Sequence, residues 1–354
     1  MDWPRTLITG AAGFIGGGTV EELCRRGATS VRAGVTKSGN AARVGGLPAE
    51  VVVCDIMDPQ SLDRAMRGIE VVIHCGYSRF DERTIVHGTR LVLESAIRHG
   101  VKRLIYLSSV AVYGGTLGQV DEETIPVSPI SAYGLRKQEA EEQCRAAAGR
   151  ALSVAVVRPA LVYGPFGNLW TTTYIRRIVS GHLTRLGSAG EGYANLIYVQ
   201  DLARLLAHLS LVELPHFCVF NANGPEIPTF NDYFDRLSQA LGRGPLTEMH
   251  ALPAEVSSLH RSIRAFSKFA IKKTPGLFGM LNRSQSLRSL LRGAENAMRL
   301  PPNAGEIEYF GTKAVFSTAR SRSIGFEARV SLDEGLSACA DWARTSGLLR
   351  TQGS

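Results

Sequence analysis

Short runs of consecutive apolar residues recur along the first half of the chain, with longer amphipathic segments between them. The runs are rich in valine, isoleucine and leucine without polar alternation, which is typical of strands buried on both faces of a parallel sheet. They predict strands at 5–9, 30–36, 50–54, 71–74, 103–108 and 152–157. Helical spacing of apolar positions predicts helices at 59–66, 82–99 and 133–148.

This alternation predicts an α/β fold, a Rossmann doubly wound parallel sheet covered by helices on both faces. We expect residues 1–163 to form this dinucleotide-binding type of domain. The alternation becomes irregular after Tyr163, so residues 164–354 are expected to form mainly a smaller, discontinuous C-terminal substrate domain. One apolar run at 217–221 is expected to return to the large sheet as its last strand.

A glycine-rich turn follows the first predicted strand and opens a helix. Gly10, Gly13 and Gly16 are spaced three residues apart in this turn. Gly10 permits a tight turn, Gly13 lets the backbone approach a ligand, and Gly16 lets the helix pack closely on the sheet. The N–H groups at the helix start then face a pyrophosphate, so the pattern in this context predicts dinucleotide binding.

Three further strand ends carry candidate binding residues, because ligands of such sheets bind beyond the carboxyl ends of the strands. Asp55 either accepts a hydrogen bond from an adenine amino group or caps the helix that starts near Asp58. Cys75 and Gly76 are small, which suits backbone contact with a cofactor ribose. His74 ends the same strand, and we expect it to be structural.

The third of these strand ends and one helix together suggest proton-transfer chemistry. Ser108 and Ser109 end the fifth predicted strand, where a hydroxyl either donates to a substrate oxygen or belongs to an ordinary turn. Tyr133 and Lys137 are four residues apart at the start of a predicted helix, so their side chains lie on one face. A cation beside a phenol favours the phenolate and lowers its pKa.

Composition and charge narrow the class of protein only slightly. The chain has 354 residues and a formal net charge of +8, compatible with an anionic ligand or a membrane surface. Its six cysteines are scattered without a Cys-x-x-Cys pair, which predicts reduced thiols of a cytoplasmic protein and no metal site. We expect no secretion signal, no bilayer span and no nucleic-acid partner.

A basic segment between Glu255 and Glu295 contains no acidic residue. Within residues 259–292 it opens with apolar side chains at helical spacing and with arginines and lysines on the opposite face. Such a helix either lies on an anionic membrane surface or packs, solvated, on the substrate domain, and we favour the second interpretation.

The motifs together resemble the extended short-chain dehydrogenases/reductases, the NAD-dependent epimerase/dehydratase group, over nearly the whole chain. The similarity rests on five stretches of sequence: Thr9-Gly10-x-x-Gly13-Phe14-Ile15-Gly16, Asp55-Ile56, Ser108-Ser109-x-x-Val112-Tyr113-Gly114, Tyr133-x-x-x-Lys137 and Arg158-Pro159-Ala160-Leu161-Val162-Tyr163-Gly164-Pro165. Tyr198-Val199-Gln200-Asp201 continues it.

The resemblance implies catalytic roles for three residues. Tyr133 would be the acid/base, Lys137 would hold the ribose and depress the tyrosine pKa, and Ser109 would hold the reacting oxygen. Arg158 and Pro159 would lead the chain out beside the nicotinamide. The family also forms dimers through helices such as those predicted at 82–99 and 133–148, which implies a homodimer.

The resemblance implies hydride transfer at a secondary alcohol or ketone of a small molecule. A nucleotide-sugar 4-epimerase is one alternative, and a non-catalytic NAD(P)-binding regulator is an alternative of another class. A dehydratase is disfavoured, because Val110 and Ala111 stand where that group usually has an Asp-Glu pair.

Two positions bear on specificity. The second predicted strand leads into Thr36 and Lys37 rather than an acid, so with Arg43 nearby the charge slightly favours NADP over NAD. Ala194 stands where nucleotide-sugar enzymes of this family commonly carry an arginine that grips the pyrophosphate. Unless Arg176, Arg177 or the basic segment replaces it, this predicts a substrate without a nucleoside diphosphate and net oxidoreduction.

Overall fold

The computed structural model describes residues 3–78, 81–128, 130–248 and 302–349. The strands are β1 Thr6–Thr9, β2 Val31–Val35, β3 Glu50–Val53, β4 Val71–His74, β5 Arg103–Leu107, β6 Gly118–Val120, β7 Ser153–Pro159, β8 Leu161–Tyr163, β9 Leu196–Tyr198, β10 Phe217–Ala222 and β11 Ala314–Phe316. The α-helices are α1 Phe14–Arg25, α2 Pro59–Met66, α3 Arg83–Arg98, α4 Ala132–Ala147, α5 Thr173–Val179, α6 Val199–Leu209, α7 Phe230–Ala240, α8 Ala304–Phe310, α9 Ala319–Ser323 and α10 Leu332–Thr345.

Seven parallel strands form the central sheet in the order β10-β7-β5-β4-β1-β2-β3. All six predicted strands are present, and the predicted return strand is confirmed as β10 at the edge beside β7. The strand order reverses between β1 and β4, where Thr9 lies opposite His74. This reversal opens the crevice in which doubly wound sheets bind their ligands.

Helices cover both faces of the sheet, which explains why its strands are apolar throughout. On one face α1 and α6 pack on the sheet through buried residues such as Leu23 and Leu206. On the other face α2, α3 and α4 contribute Leu62, Val92 and Ala140 to a second buried cluster. The predicted doubly wound Rossmann architecture is therefore confirmed.

A third, aromatic-rich core lies outside the two faces of the sheet. Tyr174, Phe230, Phe234 and Phe310 meet here with ring centroids 4.7–6.3 Å apart. Helices α5, α7, α8 and α10 supply most of this cluster.

The predicted boundary near residue 163 does not separate the hydrophobic cores, because some residues after it pack on the large sheet. Helix α6 and Phe326 belong to the core of the large sheet, although both follow Tyr163 in the chain. The basic stretch at 259–292 lies outside the described residues. Among the helices that the structure describes, none has both the length and the apolar character needed to cross a bilayer.

Candidate active site

The glycine turn brings three backbone segments into close contact. Gly10 has a positive φ of 68°, which disfavours other residues there. A β-carbon on Gly10 would lie 2.7 Å from the Cα of Gly76, and one on Gly16 would lie 2.3 Å from the Gly10 carbonyl oxygen. The loops after β1 and β4 and the first turn of α1 are thus pressed together at the crevice.

Helix α1 begins at this point with Gly13 as its N-cap, followed by half-buried Phe14 and Ile15. Gly13 has no side chain to cap the helix, and the first turn carries no acidic residue. Backbone N–H groups at such a helix start favour an anionic group. The glycine cradle and the helix start therefore fit a dinucleotide pyrophosphate.

Arg43 crosses the first turn of α1. Its guanidinium donates to the carbonyl oxygens of Gly13 and Phe14 at 3.0 and 2.8 Å and pairs with Glu21 at 3.0 Å. It also lies 4.5 Å from the ring centroid of Phe166. Since Glu21 already offsets its charge, Arg43 offers less attraction to a 2′-phosphate than the sequence suggested.

The other residues predicted to select and hold the cofactor lie after β2 and β3. Thr36 and Lys37 are exposed beyond β2. Asp55 accepts a hydrogen bond from the Met57 N–H at 2.9 Å and does not cap α2, because that cap is Asp58. The side chain of Ile56 packs in the core beneath the sheet.

His74 is structural, as predicted. It is buried, and its two ring nitrogens lie 2.7 and 3.2 Å from the hydroxyls of Thr9 and Thr89. Burial, with a smaller contribution from Lys137, lowers the pKa of His74 to about 3 and keeps the ring neutral. Beside it, burial raises the pKa of the Cys75 thiol to about 12.

Helix α4 is capped by Ser131, whose hydroxyl oxygen accepts the Gly134 N–H at 3.1 Å. A β-carbon on Gly134 would lie 2.4 Å from the Ala111 carbonyl oxygen, so α4 lies almost against the 3₁₀ helix Val110–Tyr113. This close approach brings Tyr133 near Ser109, which lowers the pKa of Tyr133. The structure thus brings together the serine and tyrosine that the sequence placed 24 residues apart.

Lys137 lies one turn further along α4 and is only 3% exposed. Its Nζ donates to the Leu107 carbonyl oxygen at 2.7 Å. The same Nζ lies 4.7, 5.0 and 5.9 Å from the ring centroids of Tyr106, Tyr77 and Tyr133. Burial lowers the pKa of Lys137 to about 8, so the ammonium is still mostly protonated at neutral pH.

The pKa of Tyr133 differs from the expectation based on helix spacing. Burial raises it well above its usual value, and the neighbouring Tyr77 raises it further, while the neighbouring Ser109 lowers it. Lys137 does not offset these effects, because its ammonium is directed to the Leu107 carbonyl rather than to the phenol oxygen. In the protein alone, Tyr133 is therefore a neutral phenol.

Ser108 and Arg158 belong to a buried network beside this group. The Ser108 hydroxyl is hydrogen-bonded to Glu141, and the Arg158 guanidinium forms an ion pair with the same carboxylate at 2.6 Å. Arg158 also donates to the hydroxyl of Tyr113 at 2.8 Å. The side chains of both predicted residues are thus already bound to Glu141. The sequence did not reveal this network, because Glu141 belongs to no recognisable motif.

Tyr77 is the other residue that sequence reasoning missed. Its ring centroid lies 5.9 Å from that of Tyr133, and its side chain is 43% exposed. The available signal was its position, since it follows Gly76 at the carboxyl end of β4.

The two arginines considered as diphosphate contacts differ in exposure and pairing. Ala194 is fully buried. Arg177 is 3% exposed and pairs with Glu306 at 2.9 Å, whereas Arg176 is exposed. Within the described ranges no cluster of His, Cys, Asp and Glu is arranged to hold a metal ion. All six cysteines carry free thiols.

Comparison with known proteins gives a family and several relatives. The NAD dependent epimerase/dehydratase family matches residues 6–219. The N-acetyl-alpha-D-glucosaminyl-diphospho-ditrans,octacis-undecaprenol 4-epimerase of Escherichia coli O157:H7 is 26% identical over 343 residues, covering 93% of this chain and 92% of the relative. The 4-hydroxy-2-methyl-3-oxo-4-farnesyl-3,4-dihydroquinoline-1-oxide ketoreductase of Stigmatella aurantiaca is 32% identical over 170 residues. That match covers 45% of this chain and 51% of the relative.

Solved structures show the same fold. MoeE5 in complex with UDP-glucose and NAD matches 97% of this chain and 99% of its own, with a TM-score of 0.69 and 23% identity. The family match covers more than half of the chain and includes the glycine turn, Ser109, Tyr133 and Lys137. The chain therefore belongs to the NAD dependent epimerase/dehydratase family and is an NAD-dependent oxidoreductase or epimerase of the extended short-chain dehydrogenase/reductase type.

Proposed function

We propose that the protein catalyses net oxidoreduction at a secondary alcohol or ketone of a substrate that has no nucleoside diphosphate. The observation that carries this proposal is the substrate side of the cleft. Ala194 is buried where a diphosphate-gripping arginine is common in the family, and Arg177 is already paired with Glu306. A missing charge-assisted contact removes roughly 1.5–3 kcal/mol, or about one to two powers of ten in affinity.

Three side chains carry the proposed chemistry. Ser109 holds the substrate oxygen, and Tyr133 exchanges a proton with that oxygen. Lys137 places a positive charge beside Tyr133 and, by family analogy, holds the ribose. The nicotinamide, when bound, gives or takes the hydride.

The cofactor is proposed to lie across the crevice between β1 and β4. Gly10, Gly13 and Gly16 would approach its pyrophosphate, with Phe14 and Ile15 opening the helix. The backbone of Cys75 and Gly76 would contact the ribose beside the nicotinamide. Asp55 and Ile56 would contact the adenine.

Ser108, Arg158 and Pro159 are proposed to border the nicotinamide through their backbone. The side chains of Ser108 and Arg158 are engaged by Glu141, which supports a backbone rather than a side-chain role. Thr36 and Lys37 would meet the adenine ribose and slightly favour NADP. We further propose a cytoplasmic homodimer.

A second candidate is 4-epimerisation of a sugar carried on a lipid diphosphate. The E. coli relative, whose name describes such a substrate, aligns over 93% of this chain, which is the observation that favours it. That substrate also has no nucleoside, so the two candidates share this property. They differ in the fate of the hydride, which returns to the same carbon in an epimerase.

A thermal-shift panel of UDP, dTDP, GDP and CDP, each with NAD or NADP present, tests the proposal. We expect no specific stabilisation by any of the four. Stabilisation by one of them at micromolar concentration would overturn the proposal and support a nucleotide-sugar 4-epimerase. Nicotinamide absorbance during turnover separates the remaining candidates, because oxidoreduction changes it in proportion to product and epimerisation leaves it constant.

A further inference from the structure

Phe166 combines an unfavourable backbone conformation with an exposed ring. Within the described ranges it is the one residue other than glycine with a positive φ, at 68°. A bulky aromatic residue seldom adopts this conformation, and Phe166 is also 53% exposed to water. Such strain costs at least as much as an exposed contact between a ring and a cation returns, and it is concentrated at functional sites. Stability alone therefore does not account for this residue.

The segment around Phe166 contacts the C-terminal part of the chain and the start of α1 at the same time. The ring centroid of Phe166 lies 5.4 Å from that of Trp342 on α10 and 4.5 Å from the guanidinium carbon of Arg43. The next residue lies against α1, because a β-carbon on Gly167 would be 3.0 Å from the ring carbon Cζ of Phe14. Phe166 is therefore the aromatic link between α10 and the glycine turn.

Arg43 extends this link to the backbone of the first helical turn. Its guanidinium donates to the carbonyl oxygens of Gly13 and Phe14 at 3.0 and 2.8 Å and pairs with Glu21 at 3.0 Å. The side chain crosses α1 at Gly17, where a β-carbon would lie 2.6 Å from the Arg43 Nε. Only 13% of the Arg43 side chain is exposed. The cation is thus fixed against the helix start, with the Phe166 ring covering it.

We propose that Phe166 and Arg43 are positioning residues for the cofactor: the ring holds the guanidinium, and the guanidinium holds the first turn of α1 in its binding conformation. The inference rests on the proposed placement of the pyrophosphate at this turn. A helix start that is already ordered loses less freedom when the dinucleotide binds, so affinity rises. Because the guanidinium is directed to the α1 carbonyls, the gain is equal for NADH and NADPH. Through Trp342, the C-terminal part thus contributes to dinucleotide affinity.

Titration of NADH and of NADPH into the full chain, followed by nicotinamide fluorescence, tests the proposal. Phe166→Gly and Phe166→Asn both accept a positive φ but lack the ring. We expect each to bind both cofactors about two- to fivefold more weakly, the range that an exposed cation–π contact supplies. Phe166→Tyr keeps the ring and should restore wild-type affinity. The matched control is Leu169→Ala, at an apolar residue of the same segment that is 63% exposed, and it should leave both affinities unchanged.

Arg43→Gln completes a double-mutant cycle. It should weaken both cofactors by the same factor, and Phe166→Gly should add nothing in that background, because the ring acts through the guanidinium. Normal cofactor affinity in Phe166→Gly and Phe166→Asn would overturn the proposal, as would an undiminished loss in the Arg43→Gln background. A loss confined to NADPH in Arg43→Gln would also overturn it, by assigning the cation to the 2′-phosphate. Failure of the proposed cofactor placement is distinguishable, because Gly16→Ala would then bind both cofactors normally.

Discussion

The ammonium group of Lys137 is buried away from water. Its pKa of about 8 instead of 10.5 means that the folded state holds this proton less tightly than the unfolded chain. At pH 7 that difference costs the fold roughly 3 kcal/mol. Such a cost is characteristic of groups retained for function rather than for stability.

Replacement of Lys137 by methionine should therefore stabilise the fold. The variant avoids the cost of the buried charge but loses the hydrogen bond to the Leu107 carbonyl, worth about 1 kcal/mol, so we expect a net gain of about 2 kcal/mol at pH 7. Wild-type stability should rise relative to the variant between pH 8 and 10.5, where the unfolded chain binds the proton more tightly. Urea unfolding across this range measures both effects, and a constant difference would contradict them.

Tyr133→Phe should leave the fold and cofactor binding intact while reducing turnover. A missing general acid–base group typically costs at least about 10²-fold in rate. Turnover by the two proteins is compared with any substrate that the wild-type enzyme converts. Cofactor binding is measured by titrating the cofactor into both proteins. Near-normal turnover in the phenylalanine variant would show that the role assigned to Tyr133 is wrong.

At the level of elements, close approaches made by glycine bring the site together. Helix α1 contacts the turn after β1 through Gly16, and α4 contacts the 3₁₀ helix after β5 through Gly134. Neither contact is possible with a β-carbon unless the backbone moves. The position of the helix start relative to the sheet therefore depends on these glycines.

Gly16→Ala should move α1 away from Gly10 and weaken cofactor binding. The new β-carbon would lie 2.3 Å from the Gly10 carbonyl oxygen, and overpacking of this kind costs about 1–3 kcal/mol. Denaturant unfolding and cofactor titration measure the two effects. Gly46→Ala is the matched control, because a β-carbon there meets no atom within 4 Å, and it should change neither quantity.

At the scale of the whole molecule, cofactor choice depends on the charge beyond β2. Since Arg43 is paired with Glu21, Lys37 is the cation on which we base the expectation of a few-fold tighter binding of NADPH than of NADH. Titration of both reduced cofactors measures the ratio, and Lys37→Ala should bring it towards one. Tighter binding of NADH by the wild-type protein would reverse the assignment.

The proposed homodimer is tested by substitutions on α3 and α4, the helices expected to pair in dimers of this family. Ile97 on α3 and Leu135 on α4 are 49% and 51% exposed, so both apolar side chains are available for contact with a second chain. Light scattering should give twice the mass of one chain, and Leu135→Glu with Ile97→Glu should give a monomer. Leu117→Glu, at a residue 64% exposed outside both helices, should remain a dimer. A monomeric wild-type protein would exclude the proposal.

The sequence alone determined the sheet, the glycine turn and the spacing of Tyr133 and Lys137. These features are local, because apolar runs, glycine spacing and helix periodicity each involve a few neighbouring residues. The strand at 217–221 was also predictable, since its apolar run needs burial on both faces.

Tertiary structure alone decided where the charged and hydroxyl groups of the site are directed. Lys137 turns to the Leu107 carbonyl, Arg158 to Glu141, and Arg43 to Glu21, while Tyr77 meets Tyr133 from a different element. The pKa of Tyr133 consequently rises through burial instead of falling beside a cation. Hydrogen-bond partners and desolvation depend on residues distant in sequence, which no local pattern can specify.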